Sequence, residues 1–436
     1  MLVKVSATLA ANEAIAERRR RGLPVLPMGF GEAGLPVHPS LRKKLHEAAS
    51  HNAYGSVSGS QELRDAVAGY WERRGLPTDA KNIVSGPGSK PLLYGLLLAI
   101  GGDVVVPAPS WVSYAAQAEL IGAKPILVPT LPGQGGFPNP DLLAEAVDNA
   151  RAEGRDVRSM IVTLPDNPTG TIASEEIVRR VCAIAEAKDI IIISDEIYRD
   201  LVFDTSKKLV SPAEIAPDRT IITNGLSKNL ALGGWRLGAA RLPESQVGQE
   251  ILARLKGIAS EIWSSAPAPI QHAAAYAFRE PPEIIERIEQ SRRLHAKMAH
   301  AVAERFRAAG ATVTEPQGAF YLYPDFESWR EQLKATYAIT TGSGLSTHFL
   351  HKYGLGMLPG NEFGDTPEAL RFRVATSLLY GDAEEEREAA LVADDPLQLP
   401  WIKSSLDRLD ATLNAVIAEK TSLTTGHETQ PAFQEP

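Results

Sequence analysis

The sequence predicts an α/β protein, with a mostly parallel central sheet in a large domain and a smaller α+β domain after it. Three observations carry this. From Asn82 onward, short β-branched runs alternate with helical stretches, the rhythm of strand-helix-strand units. Ile190-Ile191-Ile192-Ile193 is apolar throughout, as in a strand covered on both faces of a parallel sheet. Polar residues gather just past the strand-like runs, where open α/β sheets place their ligands. With 436 residues the chain is long enough for more than one domain. We expect an N-terminal segment over 1–45 that contributes to the small domain and the site entrance, a large domain over 46–285, a small domain over 286–420, and a disordered tail over 421–436. The tail is polar and rich in turn formers.

Taken in order, residues 10–21 read as a short helix stopping at Gly22. Residues 23–39, punctuated by Pro and Gly around Gly29-Phe30-Gly31-Glu32, read as an extended segment. A helix from Ser40 leads to Asn52-Ala53-Tyr54-Gly55, and Ser60 opens another with a weakened capping box, because Leu63 stands where an acid or glutamine belongs. Ile83-Val84-Ser85 is a strand followed by Gly86-Pro87-Gly88-Ser89-Lys90 and an apolar helix; Val104-Val105-Val106 runs into Pro107-Ala108-Pro109-Ser110-Trp111. Strand 160–164 runs into Pro165-Asp166-Asn167-Pro168-Thr169-Gly170. The next helix has Ser174 as N-cap, Glu175 and Glu176 in its first turn, and Ile177, Val181, Ile184 and Ala185 at helical spacing. Strands at 190–193 and 220–223 follow, the first ending at Ser194-Asp195-Glu196. A long helical pattern over 282–309 stops at Gly310 and leads to the second domain. There, Gly318-Ala319-Phe320-Tyr321, Met357-Leu358-Pro359-Gly360-Asn361 and 370–376 precede more helix. Segment 334–347, rich in Gly, Thr and Ser between apolar runs, reads as an extended insertion able to reshape a pocket.

Composition excludes several classes. Lys plus Arg number 45 against 53 Asp plus Glu, a formal charge of -8 that gives no general attraction to nucleic acid or anionic lipid. Cys182 is the only cysteine and sits in a helical apolar pattern, so no disulfide framework is expected within the chain. No apolar run reaches membrane-spanning length and the first residues lack a signal-peptide pattern, so we expect a cytoplasmic protein without a membrane partner. His348 and His351 are neighbours on a helix, but no third ligand is placed beside them, and no metal is expected. Gly86-Pro87-Gly88-Ser89-Lys90-Pro91 lacks the third glycine of a dinucleotide fingerprint.

One stretch concentrates chemistry. Thr223-Asn224-Gly225-Leu226-Ser227-Lys228-Asn229, followed by Leu232-Gly233-Gly234-Trp235-Arg236-Leu237-Gly238, holds a lysine in a Gly/Ser loop with an arginine beyond it. That pair suits a phosphate-bearing aldehyde: a neutral amine forms a Schiff base, and a guanidinium takes phosphate with a bidentate fork.

Together with Asn167-Pro168-Thr169-Gly170, Ser194-Asp195-Glu196-Ile197-Tyr198 and Arg371-Phe372-Arg373-Val374-Ala375, this stretch resembles the class I/II aminotransferases. These are fold type I enzymes dependent on pyridoxal 5'-phosphate (PLP) and similar to aspartate aminotransferase. The motifs occur in the family's order over about 24–409. The resemblance implies that the large domain binds PLP and that Lys228 forms the internal aldimine, then moves the substrate proton. Asp195 pairs with the pyridine nitrogen, and Tyr198 and Asn167 hydrogen-bond the ring's phenolic oxygen. Gly88, Ser89, Ser227 and Arg236 cradle the phosphate at a helix start, with Lys90 beside them, and Trp111 stacks on the ring. Tyr54 reaches the other subunit's phosphate, implying a homodimer with shared sites. Arg371 takes the substrate α-carboxylate next to Gly31, with Arg373 as rival. Residues 261–267 supply no arginine for a second carboxylate, and Glu32 is a candidate for meeting a cationic or polar side chain. The implied activity moves an amino group between an L-amino acid and a 2-oxo acid. Elimination or replacement at Cβ or Cγ, carbon-carbon bond formation and oxidation stay open as other fates of the same carbanion, and a non-enzymatic PLP-binding regulator is the reading from another class.

Overall fold

The computed structural model describes residues 7–424. Strands β1 (Ile83–Gly86), β2 (Asp103–Ala108), β3 (Pro125–Pro129), β4 (Val157–Thr163), β5 (Ile191–Asp195), β6 (Thr220–Gly225) and β7 (Gly238–Arg241) form one seven-stranded sheet in the order β1-β7-β6-β5-β4-β2-β3. β7 is antiparallel to both neighbours, and every other pair is parallel. The uninterrupted isoleucines of β5 follow from this placement. Ile191 and Ile193 pack with Leu96, Ile221 and Leu252 on one face, while Ile190 and Ile192 pack with Val147, Met160 and Val181 on the other. The sheet is the α/β architecture expected from the alternating pattern.

Helix boundaries follow local chemistry. Helix Glu175–Ala187 starts at Ser174, whose side chain accepts from the amide of Ile177. The first helix spans Ala7–Arg20. The long helix Pro282–Ala308 places Ile284 and Ile288 in one core cluster and Leu294, Met298, Val302 and Phe306 in another, so a single rod ties two cores together.

That second core lies under three antiparallel strands, β8 (Tyr321–Leu322), β9 (Leu358–Pro359) and β10 (Phe372–Ala375), ordered β9-β10-β8. Leu26–Pro27 pairs in parallel with Leu355–Gly356, and the Ala375 amide donates to Met28 O at 2.7 Å, so the N-terminal segment is laid along this sheet. Phe372 and Val374 enter the core, and Arg373 and Ala375 take the opposite face.

Two expectations are corrected. Segment 334–347, expected to reshape a pocket, runs from the end of helix Arg330–Tyr337 through a short link into helix Gly342–His348, which Thr341 caps, and Leu345 points it into the core. The tail expected from 421 overlaps helix Pro400–Thr424, and the rest of it lies outside the described residues.

Candidate active site

The parallel strands end together. Thr163, Asp195 and Thr223 stand side by side in register at the C-terminal ends of β4, β5 and β6. Thr223 Oγ1 donates to Asp195 Oδ1 at 3.1 Å, and Tyr114 Oη donates to Oδ2 at 2.8 Å. Burial pushes the Asp195 carboxyl up to about 6, against the pull of those two hydroxyls, the Ile197 amide and the Lys228 charge. A fully enclosed carboxylate with two oriented donors is rigid and aimed.

Above it opens a cavity of about 310 Å³ lined from both sheets and the N-terminal segment. Lys228 projects into it from the loop after β6, its Nζ donating to Gly31 O at 2.6 Å. Burial lowers its amine to about 8, with Arg373 and Arg236 adding to the effect and Glu32 and Asp195 opposing it. The lysine is therefore partly neutral near physiological pH.

At one end of the cavity, helix Ser89–Ile100 begins at Gly88 without a side-chain cap, so its first amides are uncommitted. Gly88 has φ 96°, and a Cβ there would collide with the Arg236 guanidinium. Arg236, itself left-handed at φ 55°, is held by Nη1 donating to Gly233 O at 2.8 Å. Ser89, Ser227 and Lys90 line the same end, with Lys90 Nζ 4.9 Å over the Trp111 ring. Free amides, two hydroxyls, a guanidinium and an ammonium fit a phosphate dianion.

The other end is built around Arg373. Its side chain is buried at 1 % exposure; Nη2 donates to Gly29 O at 2.7 Å and Nη1 to Asn167 Oδ1 at 3.3 Å. Its Nε has no partner, and no carboxylate within the described residues pairs with it. Asn167 also donates from Nδ2 to Tyr198 Oη at 3.5 Å, and Tyr198 Oη lies 2.9 Å from Tyr321 Oη. Gly31 packs so tightly on Tyr321 Oη that a Cβ would overlap it.

Most residues singled out in the sequence thus meet in one cavity, including Lys228, Asp195, Tyr198, Asn167, Ser89, Lys90, Trp111, Ser227, Arg236 and Gly31. Two do not. Arg371 precedes β10, is half-exposed, and is engaged by Asp325 Oδ2 and Asp365 Oδ1, each at 3.0 Å, whereas Arg373 is in the cavity lining. Tyr54 lies away from its own chain's cavity at 91 % exposure. Tyr114 and Tyr321 are additions. Tyr114 sits on a helix with no motif of its own, and Tyr321 stood at the end of a stretch that carried no assigned role.

A lysine of lowered basicity, a buried carboxylate at a strand end and an anion cup at a helix start are the groups that a PLP site of the fold type I kind requires. The sequence comparisons agree: the family aminotransferase class I and II matches residues 27–379, and the chain belongs to that family. It is a PLP-dependent aminotransferase. It is 30% identical over 384 residues to an aspartate aminotransferase of Geobacillus stearothermophilus, covering 86% of this chain and 92% of the relative. It is 30% identical over 398 residues to an aspartate/prephenate aminotransferase of Cereibacter sphaeroides, covering 88% and 93%. Among solved structures, aspartate aminotransferase from Thermus thermophilus with maleate superposes with a TM-score of 0.79 at 25% identity, covering 94% of this chain and 97% of that one.

Proposed function

We propose that the chain transfers the amino group of an L-amino acid, aspartate first among candidates, to a 2-oxo acid, with Arg373 holding the α-carboxylate. The observation that carries this reading is a buried guanidinium, without a carboxylate partner among the described residues, in the lining of the cavity that also holds Lys228. A buried cation of this kind is satisfied by a planar carboxylate in a bidentate pair.

The remaining roles follow from chemistry. Lys228, neutral above about pH 8, takes the proton from the donor's Cα and returns a proton at the opposite stage of the cycle. Asp195, oriented by Tyr114 and Thr223, keeps a facing ring nitrogen protonated. Asn167 and Tyr198 would hold the phenolic oxygen, Ser89, Ser227 and Arg236 would hold the phosphate, and Trp111 would cover the ring. PLP bound there supplies the electron sink that makes the Cα proton removable.

Aspartate is put first by the names of the relatives. A second substrate carboxylate needs a second cation, and Lys90 has no carboxylate partner within the described residues. Lys90→Ala separates its two possible duties: lost aspartate turnover with cofactor retained assigns it to the donor's side chain, and lost cofactor affinity assigns it to the phosphate. We further propose a homodimer in which Tyr54 completes the partner's phosphate cup, and a cytoplasmic location, consistent with a lone buried cysteine.

The test is a panel of L-amino acids offered with 2-oxoglutarate to the yellow holoprotein, following 2-oxo acid formation. Aspartate turnover that is lost in Lys228→Ala, together with the visible absorbance, supports the reading. A wild-type protein that takes up no PLP would sink it.

A further inference from the structure

Tyr321 is the best-connected group in the cavity that the roles above leave unused. It is 1 % exposed and fixed from three sides. β8 pairs it with Ala375 of β10, Gly170 packs against its carbonyl so closely that no Cβ would fit, and Gly31 packs against its hydroxyl. Its ring centre lies 5.0 Å from the Arg373 guanidinium carbon, and its Oη lies 2.9 Å from Tyr198 Oη.

Tyr198 Oη carries one hydrogen and two lone pairs. Asn167 Nδ2 donates to it, so that contact uses a lone pair. The Tyr321 contact can run either way. On the reading above, the Tyr198 hydrogen goes to the cofactor's phenolic oxygen. The hydrogen between the two tyrosines then belongs to Tyr321, and Tyr198 accepts on both sides while donating once. A phenol that accepts a hydrogen bond donates a stronger one, because the bonds of a chain polarise one another. The same Tyr321 ring lies beside the guanidinium that meets the substrate.

We propose that Tyr321 is a positioning residue with two linked duties: it donates to Tyr198 so that the Tyr198 hydrogen points at the cofactor's phenolic oxygen, and its ring seats the Arg373 guanidinium for the substrate carboxylate. The inference rests on the PLP reading of the site and deepens it. Stronger donation to the phenolic oxygen favours its anionic form, and this lowers the proton affinity of the Lys228 nitrogen bonded to the same cofactor. Arg373, Arg236, Glu32 and Asp195 also act on that nitrogen, and Arg373 and Asp195 on Tyr198. None of the four is altered in Tyr321→Phe, which keeps the ring beside Arg373.

The experiment titrates the visible absorbance of the bound cofactor against pH in wild type, Tyr321→Phe and Tyr321→Met, and measures KM for the amino donor in each. Tyr321→Phe keeps the ring and loses the hydroxyl, so its absorbance midpoint should rise by roughly half a unit to one unit while KM stays within about twofold. Tyr321→Met, close in volume, should show the same midpoint and a KM raised by roughly three- to tenfold through the lost ring-cation contact. An unmoved midpoint in Tyr321→Phe overturns the hydrogen-bond duty, and equal KM values in the two variants overturn the seating duty. A purely structural role moves neither midpoint nor KM in Tyr321→Phe. If Tyr321→Met does not fold, Tyr321→Leu replaces it. A wild type without visible absorbance overturns the PLP reading and this inference with it, whereas a normal wild-type titration beside an unmoved variant overturns the inference alone.

Discussion

Lys228 shows how a single side chain is made reactive by what surrounds it. An exposed lysine is almost wholly protonated at neutral pH, and its ammonium cannot attack an aldehyde. Enclosure between Gly31, the Tyr198 ring and the Phe320 ring removes water, and Arg373 adds repulsion, bringing the amine down to about 8. The sign is clear: lowering the pH re-protonates the amine, and raising it through about 8 frees the lone pair. Cofactor capture by the stripped protein should therefore speed up about tenfold per pH unit below 8 and level off above it. Stopped-flow absorbance after mixing with PLP measures this, and a rate independent of pH between 6 and 8 would show that Lys228 is already neutral there. Asp195 adds an acid limb. Its carboxyl is pushed up to about 6 by burial, so equilibrium affinity for PLP should fall as pH drops below that value and the carboxylate is lost.

At the level of single elements, strand ends and helix starts were the legible parts of the sequence. Asp195 closes β5, Lys228 follows β6, and Gly88 and Ser89 open a helix, so each carries a local signal that needs no tertiary information. Residues inside elements were not legible in this way. Tyr114 is one side chain of a short helix that follows β2, and only the placement of β2 beside β4 and of β4 beside β5 brings it to Asp195. The arginine pair shows the same limit. The sequence puts Arg371 and Arg373 on one strand face, but β10 begins at Phe372, and Arg371 is drawn outward by Asp365, six residues before it, and by Asp325, which is remote in sequence. The two guanidiniums therefore predict different kinetics. Arg373→Ala should raise KM for the amino donor about 30-fold or more, since removing a buried, hydrogen-bonded charge partner costs about 2 kcal/mol or more. Arg371→Ala, half-exposed in its ion pairs, should cost no more than about 1 kcal/mol of stability and leave KM within about threefold. Steady-state kinetics on the two variants decide the assignment, and the reverse ranking returns the role to Arg371.

The whole molecule builds its site from distant parts of the chain. Asp195 and Lys228 come from the seven-stranded sheet, Arg373 and Tyr321 from the three-stranded one, and Gly31 from the N-terminal segment between them. Cavity geometry therefore depends on how the two cores sit on helix Pro282–Ala308, which enters both. One sequence-derived residue stays outside this construction. Tyr54 belongs to a run, His51 to Ser56, in which every residue is exposed, and a tyrosine 91 % exposed on such a run is poorly accounted for in a lone chain. If a second copy covers it and its hydroxyl reaches the neighbouring phosphate cup, two different defects can repair each other. Lys228→Ala lacks the amine, and Tyr54→Ala lacks the phosphate contact. A hybrid dimer carries one site with the intact Lys228 of one chain and the intact Tyr54 of the other. Random reassortment should leave about a quarter of all sites intact, as follows from two-fold symmetry. The two variants, each inactive or weakly active alone, should then regain activity to roughly that fraction of wild type when unfolded and refolded together. Size-exclusion chromatography with light scattering on the same mixture establishes whether dimers form. Dimers without recovered activity would place Tyr54 outside the partner's site, and a monomer with full activity would show that one chain suffices.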